Sequence, residues 1–217
     1  MKKISVNKLA EYLKADSIRR RRIIEDQKQP LDFISIRYSD ARKAMVNYVI
    51  KGFNKSIIEN EIEKLSQKET GTEFQENDVK TSIEALNCFL EINFPDELLK
   101  YKRIKNTKKK TLTIKEIVIN VNPDIIIKGI HRGKEFIGGI KFNIVKGHQL
   151  KDDDRKNVAT LIHHLLEEEM DETPNLSFCI SIDVFSKSFD CAPKSFKTRR
   201  KQIEYACEEL SIVWDSV

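Results

Sequence analysis

The side chains best suited to chemistry in this chain are one carboxylate, one lysine and three clusters of cations. Asp124 stands in Asn122-Pro123-Asp124, directly before the apolar run Ile125-Ile126-Ile127. Lys141 stands in Gly138-Gly139-Ile140-Lys141, inside a run where Phe136, Ile140, Phe142 and Ile144 share one parity. An acid and a lysine set into such runs have two readings. They form one polar site, or they are a strand-entry acid after a proline and a lysine snorkelling at a sheet edge. The cations cluster from Arg19 to Arg22, at Lys102, Arg103, Lys105, Lys108, Lys109 and Lys110, and at Lys194, Lys197, Arg199, Arg200 and Lys201. Such clusters can neutralise phosphates. Glu25 and Asp26 follow the first, and Glu204, Glu208 and Glu209 follow the third, so a solvated, internally balanced face is the competing reading. The net charge is only +5, which makes placement more informative than the total.

Other polar residues carry less. His163 and His164 are adjacent in a helical pattern, where neighbours do not face each other, so they are expected to pack rather than to pair on a metal. Lys146 and His148 follow the run around Lys141 and are candidates for contact with phosphate. Asp183 opposes the apolar parity of Phe178, Ile180, Ile182 and Val184, which exposes it or turns it into a site. Cys88, Cys179, Cys191 and Cys207 include no CxxC spacing and no histidine at ligand spacing, so free thiols are expected rather than a zinc site. No phosphate-binding GxxxxGK[ST] loop, HExxH helix or GxSxG elbow occurs.

The elements that must position these residues follow from periodicity. The chain of 217 residues suits one domain of moderate size, or a small domain with an extension. Residues 1–67 read as a mainly helical N-terminal region, with Phe33, Ile34, Ile36 and Tyr38 extended in character. Residues 68–78, KETGTEFQEND, read as a polar linker or loop. From 79 to 217 the pattern is a helix carrying Ile83, Leu86 and Phe89, then three strands and a long helix opening at Asp152. A strand over Phe178–Val184 and a last helix from about Ser195 to Leu210 complete it. The three strands are placed at Leu112–Val121, Asp124–Lys128 and Glu135–Val145. No apolar run reaches membrane-spanning length and the basic N-terminus lacks a signal-peptide core, so a cytoplasmic protein without membrane contact is expected.

The order αβββαβ, with Pro123-Asp124 opening the second strand and Lys141 inside the third, resembles the PD-(D/E)XK nuclease superfamily over roughly residues 79–185. The resemblance implies an α/β, restriction-endonuclease-like core with an N-terminal helical extension. It implies a metal-dependent phosphodiester hydrolase, with Asp124 as a ligand of Mg²⁺ and Lys141 orienting the attacking water. The family's second acid stands two residues before the lysine, where this chain has Gly139. Glu135 shares the parity of Lys141 but lies about 20 Å along the strand. Asp152, Asp154, Glu84 and Glu91 are the remaining candidates for a replacement acid.

Three functions are compatible with these residues. The first is a metal-dependent nuclease acting on DNA or RNA, with Lys146, Lys197, Arg199 and Arg200 holding the nucleic acid. The second is an inactive relative that binds nucleic acid, or a protein partner through the N-terminal helices. The third is a pure scaffold, which predicts that Arg199 and Lys141 lie on separate, salt-bridged surfaces.

Overall fold

The computed structural model describes residues 1–29, 37–108 and 110–217. The expectation of extended chain at Phe33, Ile34 and Ile36 lies outside the described residues. Described elements run in the order β1 (Lys3–Ser5), α1 (Val6–Lys14), α2 (Ser17–Lys28), α3 (Ser39–Ile50), α4 (Ser56–Ser66) and α5 (Glu73–Leu90). A 3-10 turn (Asp96–Lys100) leads to β2 (Lys102–Lys105), β3 (Thr111–Ile114), β4 (Ile117–Asn120), β5 (Ile125–His131) and β6 (Lys134–Asn143). Then come α6 (Asp152–Glu169), β7 (Pro174–Asp183), β8 (Ser188–Cys191) and α7 (Phe196–Trp214).

A five-stranded sheet in the order β2-β5-β6-β7-β8 organises the molecule. All its pairs are antiparallel except β6–β7, which run parallel because α6 crosses over between them. The central strands are buried on both faces. Ile125, Ile127, Phe136, Ile140, Phe142, Phe178 and Ile180 pack under α3, α4 and α5. Ile126, Ile137 and Cys179 point to the other face, under α1, α2, α6, α7 and a small sheet of order β1-β4-β3. Of the described elements within residues 1–67, β1, α1 and α2 pack on one face and α3 and α4 on the other.

Two expectations about the elements need correcting. Leu112–Val121 is not one strand. Lys115 and Glu116 take φ of 47° and 66°, so the run turns back as the β3–β4 hairpin, and β4 pairs with β1 instead of joining the main sheet. The first strand of the main sheet is β2, which lies in the basic cluster and pairs antiparallel with β5. The segment 68–78 is only partly a loop. Thr72 caps α5 by accepting the Gln75 N–H, so Glu73 to Asp78 already belong to that helix. Glycine matters at Gly138, where a Cβ would lie 2.4 Å from the Phe178 carbonyl oxygen, next to a register shift between β6 and β7.

The ends of the parallel pair are closed by a buried carboxylate. Asp183 is fully buried and accepts from Asn143 Nδ2 at 2.6 Å, the Leu150 N–H at 2.7 Å and the Ser186 N–H at 2.9 Å. It thus ties both strand ends to the loop that leads into α6, and is neither exposed nor open to a ligand. All four cysteines are free thiols. His163 is buried, stacks on Phe196 at 4.7 Å and sits 2.7 Å from an Arg200 nitrogen. Burial pulls its pKa down from 6.5 to about 4, and the Arg200 charge pushes the same way. Among the described residues, no helix is long and apolar enough to cross a membrane.

Two stability predictions follow from these buried groups. Asp183→Ala strands three donors and is expected to cost about 3 kcal/mol in urea unfolding. His163 stays neutral in the folded protein and protonates more readily in the unfolded chain, so stability falls as pH drops from 6.5 towards about 4. Allowing for partial solvent access, that loss is about 2 kcal/mol and should be missing from His163→Gln. Equal pH dependence in the two proteins would contradict the assignment.

Candidate functional site

Asp124 and Lys141 converge. Asp124 immediately precedes β5, and its backbone N–H donates to the Ile140 carbonyl at 2.7 Å. Its Oδ2 accepts the Phe142 N–H at 2.8 Å, so the side chain closes the ladder between β5 and β6. Lys141 Nζ lies 3.8 Å from that Oδ2 and donates to the Asn122 carbonyl at 2.7 Å. Asn122 itself holds a left-handed φ of 35°, which turns the chain into Pro123-Asp124. Burial lowers the pKa of Lys141 below the ordinary lysine range; Asp124 opposes that shift and Arg42 adds to it.

Both residues line one open cleft of about 440 Å³. Helix α3 supplies Ser39, Arg42, Lys43 and Val46, with Arg37 just upstream. The end of β2 and the following loop supply Lys105, Asn106, Thr107 and Lys108. This loop is fastened to the strand entry. Asn106 Nδ2 donates to the Pro123 carbonyl at 2.9 Å, and the Asn106 N–H donates to the Asp124 carbonyl at 3.1 Å. Arg42 Nη1 donates to Asp124 Oδ1 at 2.7 Å, and both its terminal nitrogens lie 3.5 Å from the Phe142 carbonyl oxygen. Charge in the lining is one-sided. Arg37, Arg42, Lys43, Lys105, Lys108 and Lys141 face a single carboxylate, Asp124. Among the described residues, Lys105 and Lys108 have no carboxylate within salt-bridge distance, whereas Lys43 pairs with Asp40 at 3.0 Å.

The acids considered as replacements lie elsewhere. Glu135 pairs with Ile130 near the hairpin, at the other end of β6. Glu84 binds Lys146 at 2.6 Å. Glu91 binds Lys187, and Asp152 binds Arg155; both line a second cleft with Asp190. Asp154 accepts the Lys151 N–H at the start of α6. Space at position 139 is tight. A Cβ on Gly139 would meet Ile162 Cγ2 at 3.0 Å and Pro123 Cβ at 3.2 Å. Among the described residues, no three His, Cys, Asp or Glu side chains gather where a metal could be held. Asp124 alone, with Oδ1 on Arg42 and Oδ2 on a backbone N–H, does not fit the several oxygen ligands that Mg²⁺ requires.

The cations expected to hold nucleic acid from the helices are differently placed. Arg199 pairs with Asp153 at 2.7 Å and also donates to Asn157. Arg200 pairs with Glu167, and Lys146 with Glu84. Lys197 is exposed on α7. In the first cluster, Arg19 binds Glu11, Arg20 binds Glu209 and Arg21 binds Glu25. None of these lines the cleft with Asp124. For Arg199 this is the separate, salt-bridged surface that the scaffold reading describes; the cleft's uncompensated charge is what that reading leaves out. Lys105 and Lys108 had a signal in the second basic cluster. Arg42 had none, since it comes from a helix 82 residues before Asp124.

Placing a carboxylate at position 139 tests the packing directly. Gly139→Glu is expected to destabilise the fold by about 3 kcal/mol, because it forces a charged side chain between Ile162 and Pro123. Chemical denaturation with and without Mg²⁺ checks this, and recovery by the metal would mean that a ligand set can assemble there. No family model and no curated protein sequence matches this chain.

Proposed function

We propose that this protein is a nuclease-like scaffold that binds nucleic acid through the Asp124–Lys141 cleft without the hydrolysis its resemblance implies. The order α5-β2-β5-β6-α6-β7, with β3 and β4 looped out, supports the restriction-endonuclease-like reading of the core. The observation that carries the function is the charge of the cleft: six cations against one carboxylate, two of them, Lys105 and Lys108, without acidic partners among the described residues. Such an excess attracts a phosphate backbone and releases its counterions. Asn106, Thr107, Asn122 and Ser39 add neutral hydrogen-bonding groups beside the cations.

A second reading, metal-dependent cleavage, is favoured by one observation, the approach of Lys141 to Asp124 at 3.8 Å. The two readings differ in sign at Asp124. A metal ligand is indispensable to cleavage, whereas a lone acid in a basic cleft repels phosphate. Asp124→Asn should therefore abolish any Mg²⁺- or Mn²⁺-dependent cleavage of DNA or RNA on the second reading. On the first, oligonucleotide binding should persist, because the amide oxygen of the asparagine still accepts from Arg42.

Fluorescence anisotropy with short single-stranded oligonucleotides tests the main proposal. Lys105→Gln/Lys108→Gln should weaken binding and reduce the slope of log K against log salt by about 1.4. Lys197→Gln, on the opposite helical face, should leave both unchanged. Unaltered binding by the lysine pair, with loss from Lys197→Gln, would move the interface to α7.

A further inference from the structure

Resting on the binding reading above, the geometry points to Arg42 as the cation that stands on Asp124 in place of a divalent metal, making the cleft a metal-free phosphodiester site. A guanidinium carries five N–H donors in a planar fork. Arg42 spends one on Asp124 Oδ1 at 2.7 Å and approaches the Phe142 carbonyl oxygen at 3.5 Å with both terminal nitrogens. It does so while its side chain remains 37% exposed, against 11% for Asp124. The guanidinium is thus anchored through its terminal nitrogens, while among the described residues Nε makes no hydrogen bond, which leaves the Nε–Nη2 edge for the paired N–H contacts by which arginine grips a phosphate. Asp124 positions it, and the Phe142 N–H positions Asp124.

Charge balance agrees. Arg42 and Lys141 together exceed Asp124 by one unit, the single charge of a phosphodiester, and Arg37, Lys43, Lys105 and Lys108 add further positive charge around them. Lys141 contributes as a buried partner. Its Nζ is held by the Asn122 carbonyl and lies within reach of Asp124, so it meets an anion at the cleft floor with little loss of side-chain freedom. The tight space at Gly139, against Ile162 and Pro123, and the arginine on Asp124 act in the same direction: neither position offers a carboxylate free for a metal.

The test uses the full chain and a labelled short oligothymidylate, in EDTA and in Mg²⁺ at matched ionic strength. Wild-type affinity should be equal in the two buffers. The double variant Arg42→Gln/Asp124→Asn keeps the net charge and leaves no orphan carboxylate. It should bind about tenfold more weakly, the size of a lost charged hydrogen bond. Arg42→Lys retains the charge but not the fork; it should lose severalfold and covers the case in which the double variant does not fold by circular dichroism. Affinity that vanishes in EDTA and returns with Mg²⁺ would overturn the inference, as would full affinity in the folded double variant or in Arg42→Lys. If Lys105→Gln/Lys108→Gln still weakens binding while the Arg42 variants do not, the binding reading stands and only the inference falls. If wild-type protein binds in neither buffer, both fall.

Discussion

A strand covered on both faces has nowhere to put a polar side chain except where it leaves the sheet. β6 is in that position: helices α3 to α5 lie on one side, and α6 with its neighbours on the other. Its two inner polar residues, Lys141 and Asn143, sit near the end that runs into the loop before α6, and each finds a carboxylate there. Lys141 meets Asp124 from the entry to β5, and Asn143 meets Asp183 from the end of β7. Two acids, one at the entry to β5 and one at the end of β7, thus flank β6 and close one end of the sheet. An unpaired donor buried at either place would cost the protein a kcal/mol or more.

The two acids differ in what surrounds them. Asp183 is sealed and takes its donors from backbone and amide groups, so it works as a staple. Asp124 is reached by an arginine and a lysine and opens to the cleft. The same closure of strand ends therefore yields a structural lock at one position and a charged recess at the other. Loop Asn106–Lys108 makes the difference, because it is bonded to Pro123 and Asp124 and brings Lys108 to the cleft beside Lys105 at the end of β2.

About half of the cations among the described residues are held in ion pairs. Arg19 and Arg20 of α2 and Arg199 and Arg200 of α7 bind acids on other elements, Glu11, Glu209, Asp153 and Glu167, and join the helices around the core. Exposed pairs of this kind are worth little singly. They tie up those four arginines, whereas the cleft lining gathers six cations against one carboxylate.

The residues alone determined the elements whose pattern is local. The alternation of Phe136, Ile140 and Phe142, the stripe of α6 and the alternation of β7 all emerged where periodicity placed them, because burial of one or both faces is written directly into a strand or helix. The approach of Asp124 to Lys141 was also legible, from two short motifs at a hairpin's spacing. Tertiary structure decided the rest. β2 reads as a basic stretch, since an edge strand made of Lys102, Arg103, Ile104 and Lys105 has no apolar alternation. The β3–β4 turn was hidden because Lys115 and Glu116 adopt positive φ without a glycine to announce it. Arg42 is the deepest case. Its partner is remote in sequence, and only the packing of α3 over the sheet brings a guanidinium to Asp124, a contact that no local pattern encodes.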